Sequence, residues 1–348
     1  MKKIFAVALF LAGLFFCGCG QTSVQYTDTD IAMGTVIQQN IYSLTEDETA
    51  TDEILTLIRN LEQENLSRRL ESSEVCRINR YFERDSSEDS ESLQISGELG
   101  LILEECLSVW ESSQGAFDVT LAPVIRLWDI DSWAGGAREG VFEVPEQQAI
   151  LQALDDCGSG GIELEELAEG YEIRLPRGME LDMGAVGKGI ALDEIRSWLK
   201  QRENITGAVI SVGGSILVYG GKPDGSRFKV AIANPSDTAA VIGYLSLEGT
   251  WCISTSGDYE RYVEAEGVRY HHILDPATGY PADSGVRSVT VLSESGFLSD
   301  ALSTACFVLG ADEGMKLAEE YGAEALFVDR EGNIIMSEGM EEYFCYYK

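Results

Sequence analysis

Asp300 and Thr304 stand four residues apart in a stretch, Asp300 to Leu309, whose apolar spacing predicts a helix. Their oxygens therefore lie on one face, one turn apart. A carboxylate and a hydroxyl so placed suit a hard divalent cation. Mg²⁺ takes few protein ligands, keeps waters and is usually completed by substrate phosphates. A plainer role also fits, with Ser299 or Asp300 capping the helix. Upstream, ELDMGAVGKGIALDEIRSWL (Glu180 to Leu199) reads as a short strand ending in a carboxylate, a glycine-rich turn and a helix. Gly184, Gly187 and Gly189 let the backbone approach a ligand closely, and the N–H groups of a helix start favour an anion. A carbonyl from the 184 to 187 turn would complete a set of three oxygens. Lys188, between glycines and close to apolar Ile190, reads as a phosphate contact rather than a solvated charge. The spacing is neither GxxxxGK[ST] nor GxGxxG, so a plain strand-to-helix turn competes with the phosphate cradle.

Asp118 and Asp182 also adjoin glycine-rich or helix-starting segments. His271 and His272 are the two histidines, adjacent in a turn-rich loop before Asp275-Pro276, where a surface position competes with a catalytic one. No Ser-His-Asp order and no Cys-His pair stands out, so the attacking group is expected to arrive with another molecule.

These residues need a scaffold, and 348 residues at 45% hydrophobic composition supply ample core. With 59 acidic against 25 basic side chains the formal charge is −34, which excludes a nucleic-acid partner, since that needs a basic face. Lys2-Lys3 and the apolar run Ile4 to Phe16 have the layout of a secretory signal, too short to span a bilayer. Phe16-Cys17-Gly18-Cys19 resembles a bacterial lipobox with Cys19 as the lipidated residue. Residues 1–18 are thus expected as a lipoprotein signal peptide, 19–30 as a polar tether and 31–348 as one domain, extracytoplasmic and lipid-anchored to the bacterial cell membrane. Cys76, Cys106, Cys157, Cys252, Cys306 and Cys345 show no metal spacing and read as core thiols.

Ile31 to Ile37 alternates as a strand that Gly34 interrupts. Helices are expected over 52–66, 97–112, 145–157, 300–309 and 312–321, an acidic loop at 85–92 and an exposed insertion at 131–144. Short β-rich runs from residue 208 onward, divided by Gly, Pro and Asp, predict antiparallel pairing. No repeat or linker divides the chain, and the fold class is α+β.

Seven blocks occur in order: MGT at Met33, GAFDVTLAPVIRLW from Gly115, ELDMGAVGKG from Glu180, VGGSI from Val212, STSGDYER from Ser254, HHILDPATGYP from His271 and DALSTACFVLG from Asp300. Together they resemble the signature blocks of the ApbE family, FAD:protein FMN transferases that are often periplasmic or surface lipoproteins. The resemblance implies a T-fold-like α+β domain with antiparallel sheets and packed helices. It also implies a Mg²⁺-dependent enzyme that splits the pyrophosphate of FAD, moves FMN onto a threonine hydroxyl of an acceptor protein and releases AMP. The family's acceptors include subunits of membrane redox complexes.

By position, the resemblance assigns Mg²⁺ to the side chains of Asp300 and Thr304 and the carbonyl of Ala185. It assigns FAD to Met33, Ala116-Phe117-Asp118, Asp182, Lys188 and His272-Ile273, with His272 assisting proton transfer. The chain departs from the pattern twice. Arg69 stands where the family has an aromatic residue, and an arginine plane can stack on a flavin or adenine ring in its place. Ser215 replaces the usual Asn or Asp, a shorter polar group. An enzyme that only hydrolyses FAD would use the same residues with water as nucleophile, and a flavin-binding surface lipoprotein without catalysis would need no metal at the pyrophosphate.

Overall fold

β-Branched and apolar residues alternate through eight stretches: Val24–Ala32, Thr35–Ser43, Ile205–Val212, Ser215–Gly220, Trp251–Gly257, Val286–Ser293, Glu324–Asp329 and Ile334–Met336. In the computed structural model, which describes residues 23–84 and 91–347, these form one antiparallel sheet whose spatial order is the chain order. Adjacent residues point to opposite faces, as strand geometry requires. Leu217, Cys252 and Val291 face the main core, whereas their neighbours Val218, Ile253 and Leu292 face a second one. The main core lies under the helices Ala50–Asn60, Gly97–Ser112, Gly187–Lys200 and Gly296–Leu309. The second is closed by a three-stranded sheet of Phe228–Asn234, Asp237–Leu247 and Phe344–Tyr346. The result is a single α+β domain of antiparallel sheets and packed helices.

Three expectations change. The stretch from Val24, expected as tether up to residue 30, is the edge strand of the main sheet. Met33-Gly34 does not interrupt a strand but reverses it: Ala32 pairs with Thr35, and both turn residues have positive φ (50° and 66°), the two-residue hairpin geometry that favours glycine. The 131–144 stretch is not simply exposed, because it begins in the helix Ile130–Ala134 and buries Phe142 against Trp128, ring centroids 6.3 Å apart. The signal segment with Cys19, and most of the acidic 85–92 loop, lie outside the described residues.

The crossing of two helices sets the site. Gly189 of Gly187–Lys200 meets Gly296 of Gly296–Leu309 backbone to backbone; a Cβ at Gly189 would overlap the Gly296 carbonyl and come within 2.7 Å of the Asp300 Cβ. Asp193 stitches the same pair together, accepting from Gly296 N–H and Phe297 N–H at 2.8 Å each. Ser295 caps the second helix, accepting from Leu298 N–H at 3.2 Å, so neither Ser299 nor Asp300 is needed as a cap. Gly189→Ala is expected to force the helices apart at a cost of about 3 kcal/mol, lowering the melting temperature by about 5 °C or more in a thermal scan.

Candidate functional site

Asp300 is only 3% exposed, yet both of its carboxyl oxygens are engaged. Its Oδ1 lies 3.0 Å from Lys188 Nζ and accepts from Ser215 Oγ at 3.2 Å; its Oδ2 accepts from Gly189 N–H at 2.9 Å. The start of the Gly187–Lys200 helix thus aims its positive end at this carboxylate. Gly189 is the third residue of that helix, where an N–H has no intrahelical partner, and Asp300 supplies one; no hydrogen bond from the described residues reaches the Ala185 carbonyl just before the helix. Thr304, one turn beyond Asp300, has its hydroxyl 3.4 Å from Ser256 Oγ.

Beneath these groups lies a hydroxyl network that motif reading missed. Ser254 Oγ donates to Ser215 Oγ at 3.0 Å and meets Ser299 Oγ at 2.9 Å, while Ser256 Oγ meets Ser303 Oγ at 2.8 Å. Ser215, Ser254, Ser299 and Ser303 are fully buried. Ser215, short as it is, reaches Asp300 directly. Glu260 was missed as well. Much of that residue is exposed, but its carboxyl turns in toward Gly214, where a Cβ would lie 3.1 Å from Oε1. Burial first, and Asp300 after it, push the carboxyl above its usual range, against Lys188 and Arg261.

Asp182 sits where the 180–182 segment runs beside 119–121, with Asp182 N–H donating to the Val119 carbonyl at 2.7 Å. Its Oδ1 accepts from Gly184 N–H at 2.8 Å and its Oδ2 pairs with Arg68 Nε at 2.6 Å. Arg69, the expected ring-stacking residue, sits by Asp131, which also pairs with Arg261 at 3.2 Å. Arg69 is 64% exposed and lies 3.7 Å from Asp131. The irregular turn that follows the π-helix Leu61–Leu66 gives neighbouring residues different surroundings, and Arg68 is the more buried of the two. Met33 packs on the helix start, its Cε 3.2 Å from where a Gly187 Cβ would be, and its N–H donates to Glu62 Oε2 at 2.9 Å.

Ala116 and Asp118 line a cleft of about 510 Å³ shared with Trp110, Asp275, Pro276 and Val308. Phe117 is wholly buried in the main core and Ile273 nearly so, with its carbonyl taken by Ala282 N–H at 3.0 Å. The Asp118 carboxylate accepts from Thr120 and Ser159, including Ser159 N–H at 3.0 Å, so it braces the cleft wall. Asp300, Thr304 and Val308 follow one helical face over about 12 Å, which leads from the carboxylate to this cleft. A second hollow, of about 550 Å³ between Asp52, Glu98, Glu194 and Trp198, shares none of these residues.

The two histidines separate. His271 is buried, with Nε2 3.1 Å from the Ala282 carbonyl and its ring edge-on to Phe307. His272 has Nδ1 3.2 Å from the Arg261 carbonyl. A carbonyl only accepts, so Nδ1 carries the proton and Nε2 keeps its lone pair. Burial, then the Arg261 charge, lower the His272 pKa to about 4, with Asp131 opposing, so the ring is neutral at physiological pH. Among the described residues no group of three or more His, Cys, Asp and Glu is placed to hold a metal.

A buried carboxylate, a lysine and a helix start against the middle strands of an antiparallel sheet define a single-domain α+β protein with one elongated polar site. The ApbE family model matches residues 33–327, and the chain belongs to that family. It is 30% identical to the FAD:protein FMN transferase of Treponema pallidum (strain Nichols), over 97% of this chain and 94% of that protein. The transferase of the same name from Vibrio cholerae is 29% identical, over 95% and 93%. Among solved structures, the ApbE protein of Thermotoga maritima superposes with a TM-score of 0.79 at 30% identity, covering 92% of this chain and 99% of that one. The Vibrio cholerae flavin transferase ApbE gives 0.78 at 25% identity, covering 92% and 100%.

Proposed function

We propose that this protein transfers FMN from FAD to a threonine hydroxyl of an acceptor protein and releases AMP, with Mg²⁺ as cofactor. The observation that carries the reading is the engaged, buried Asp300 beside Lys188, with Thr304 one turn away. The donor set fits the metal. Asp300 and Thr304 supply side-chain oxygens, the unbonded Ala185 carbonyl a third, and all are hard donors. Mg²⁺ held there would offset the charge that builds on the diphosphate oxygens as they part.

The chain's own groups account for the rest. Lys188 neutralises phosphate charge, and the 116–118 cleft at the far end of the helical face accommodates one half of the dinucleotide. His272 Nε2 takes the proton of the threonine hydroxyl as its oxygen bonds to the FMN phosphorus; the bond from that phosphorus to the bridging oxygen breaks, and AMP departs with that oxygen. Magnesium dependence is tested by following AMP release from FAD in the presence of acceptor, with and without EDTA. Loss of release on chelation, restored by added Mg²⁺, is expected; release unaffected by chelation would contradict the metal's role.

We also propose that the protein is extracytoplasmic and held to the bacterial cell membrane by lipid on Cys19, where subunits of membrane redox complexes are within reach as acceptors. The basic, apolar and cysteine-bearing order of residues 1–19 supports this. Cys19→Ser is expected to shift the protein from the membrane to the soluble fraction on cell fractionation.

A further inference from the structure

We propose that Arg68 is a diphosphate-binding residue of this site, held in place by Asp182. The inference rests on the flavin-transfer reading. The side chain of Arg68 is only 18% exposed and that of Asp182 15%, so the guanidinium is largely withdrawn from water. Asp182 pairs with it at Nε, at 2.6 Å. Its two terminal nitrogens make no hydrogen bond to an acceptor among the described residues, although they form the planar fork that matches a phosphate. The segment lies at the anion-favouring end of the Gly187–Lys200 helix: Leu66 Cδ1 is 3.8 Å from where a Gly187 Cβ would be, and Gly184 N–H holds the other oxygen of Asp182.

Charge supports the same conclusion. In a chain of net charge −34, a doubly negative diphosphate needs local cations. Asp300 offsets part of the charge that Lys188 offers a phosphate, and a bare Asp182 carboxylate would repel the ligand. Arg68 neutralises Asp182 and leaves four N–H donors for the phosphates. Asp182 is then a positioning residue that acts through Arg68.

The test compares FAD with riboflavin, which has the same ring and no phosphate. Dissociation constants are read by flavin fluorescence for the full protein and for Arg68→Gln and Arg68→Lys, with thermal scans confirming that each variant folds. Arg68→Gln is expected to weaken FAD about tenfold or more while leaving riboflavin within about twofold, and Arg68→Lys to recover part of the loss. Unchanged FAD affinity in Arg68→Gln, or an equal loss for riboflavin, overturns the proposal; the second result would mean that Arg68 meets the ring. If the unmodified protein binds no FAD, the flavin-transfer reading itself fails.

Discussion

Asp300→Ala is expected to reduce FMN transfer about 1,000-fold or more, with the fold retained. The substitution removes the one buried carboxylate to which Lys188, Gly189 N–H and Ser215 are all directed. It would also remove the charged member of the proposed Mg²⁺ set. Loss of a partner from a buried ion pair usually destabilises a protein, because the remaining charge is stranded. Here the Lys188 side chain is 28% exposed and can turn its ammonium to water, so the stability loss is expected to be small. Transfer assays paired with thermal scans separate the two effects. A variant that keeps most of its transfer activity would show that the carboxylate has no part in the chemistry.

His272→Gln carries the other large expected effect, a fall of about 100-fold to 10,000-fold in the rate of transfer, which is the usual contribution of a positioned base. The pH profile gives the signature. A base with a pKa near 4 stays neutral far below the ordinary histidine value of 6.5, so the acid limb of the rate profile is expected near pH 4. A limb at 6 to 7 would place the proton acceptor elsewhere. Stability follows from the same shift. The unfolded chain binds a proton at His272 below about pH 6.5 and the folded chain only below about 4. The folded state is therefore favoured above pH 6.5 and loses stability as pH falls from 6.5 to 4. His271, whose pKa burial also lowers, adds to the loss in the same direction.

How much of this was legible in the sequence varies from residue to residue, for physical reasons. Asp300 and Thr304 were legible because helical periodicity alone puts i and i+4 on one face. Lys188 was legible from its setting at a helix start. The reason for Gly189 was not legible. Gly189 is small because another backbone, that of Gly296, crosses it, and no sequence pattern reveals which distant segment does so. In sequence, Met33-Gly34 resembles an interrupted strand because alternation continues on both sides of a two-residue hairpin.

Arg68 and Arg69 could not be told apart, since irregular backbone after a π-helix has no period to assign direction. The Ser215–Ser254–Ser299 network joins two strands and a helix that are far apart in the chain, and single hydroxyls carry no spacing signature. The fold class was legible because strands divided by Gly, Pro and Asp leave little choice but antiparallel pairing. What pattern could not supply was the meander in which spatial order equals chain order, with each long excursion returning to the same sheet.

The claim at the centre of this account is that the flavin phosphate passes to a protein hydroxyl. It is tested most directly by incubating the protein with FAD, Mg²⁺ and an acceptor that carries the target threonine, then measuring the acceptor's intact mass. The expected result is a gain equal to one FMN bound as a phosphoester, absent when the threonine is replaced by alanine. An acceptor of unchanged mass, with FAD split to free FMN and AMP, would contradict it.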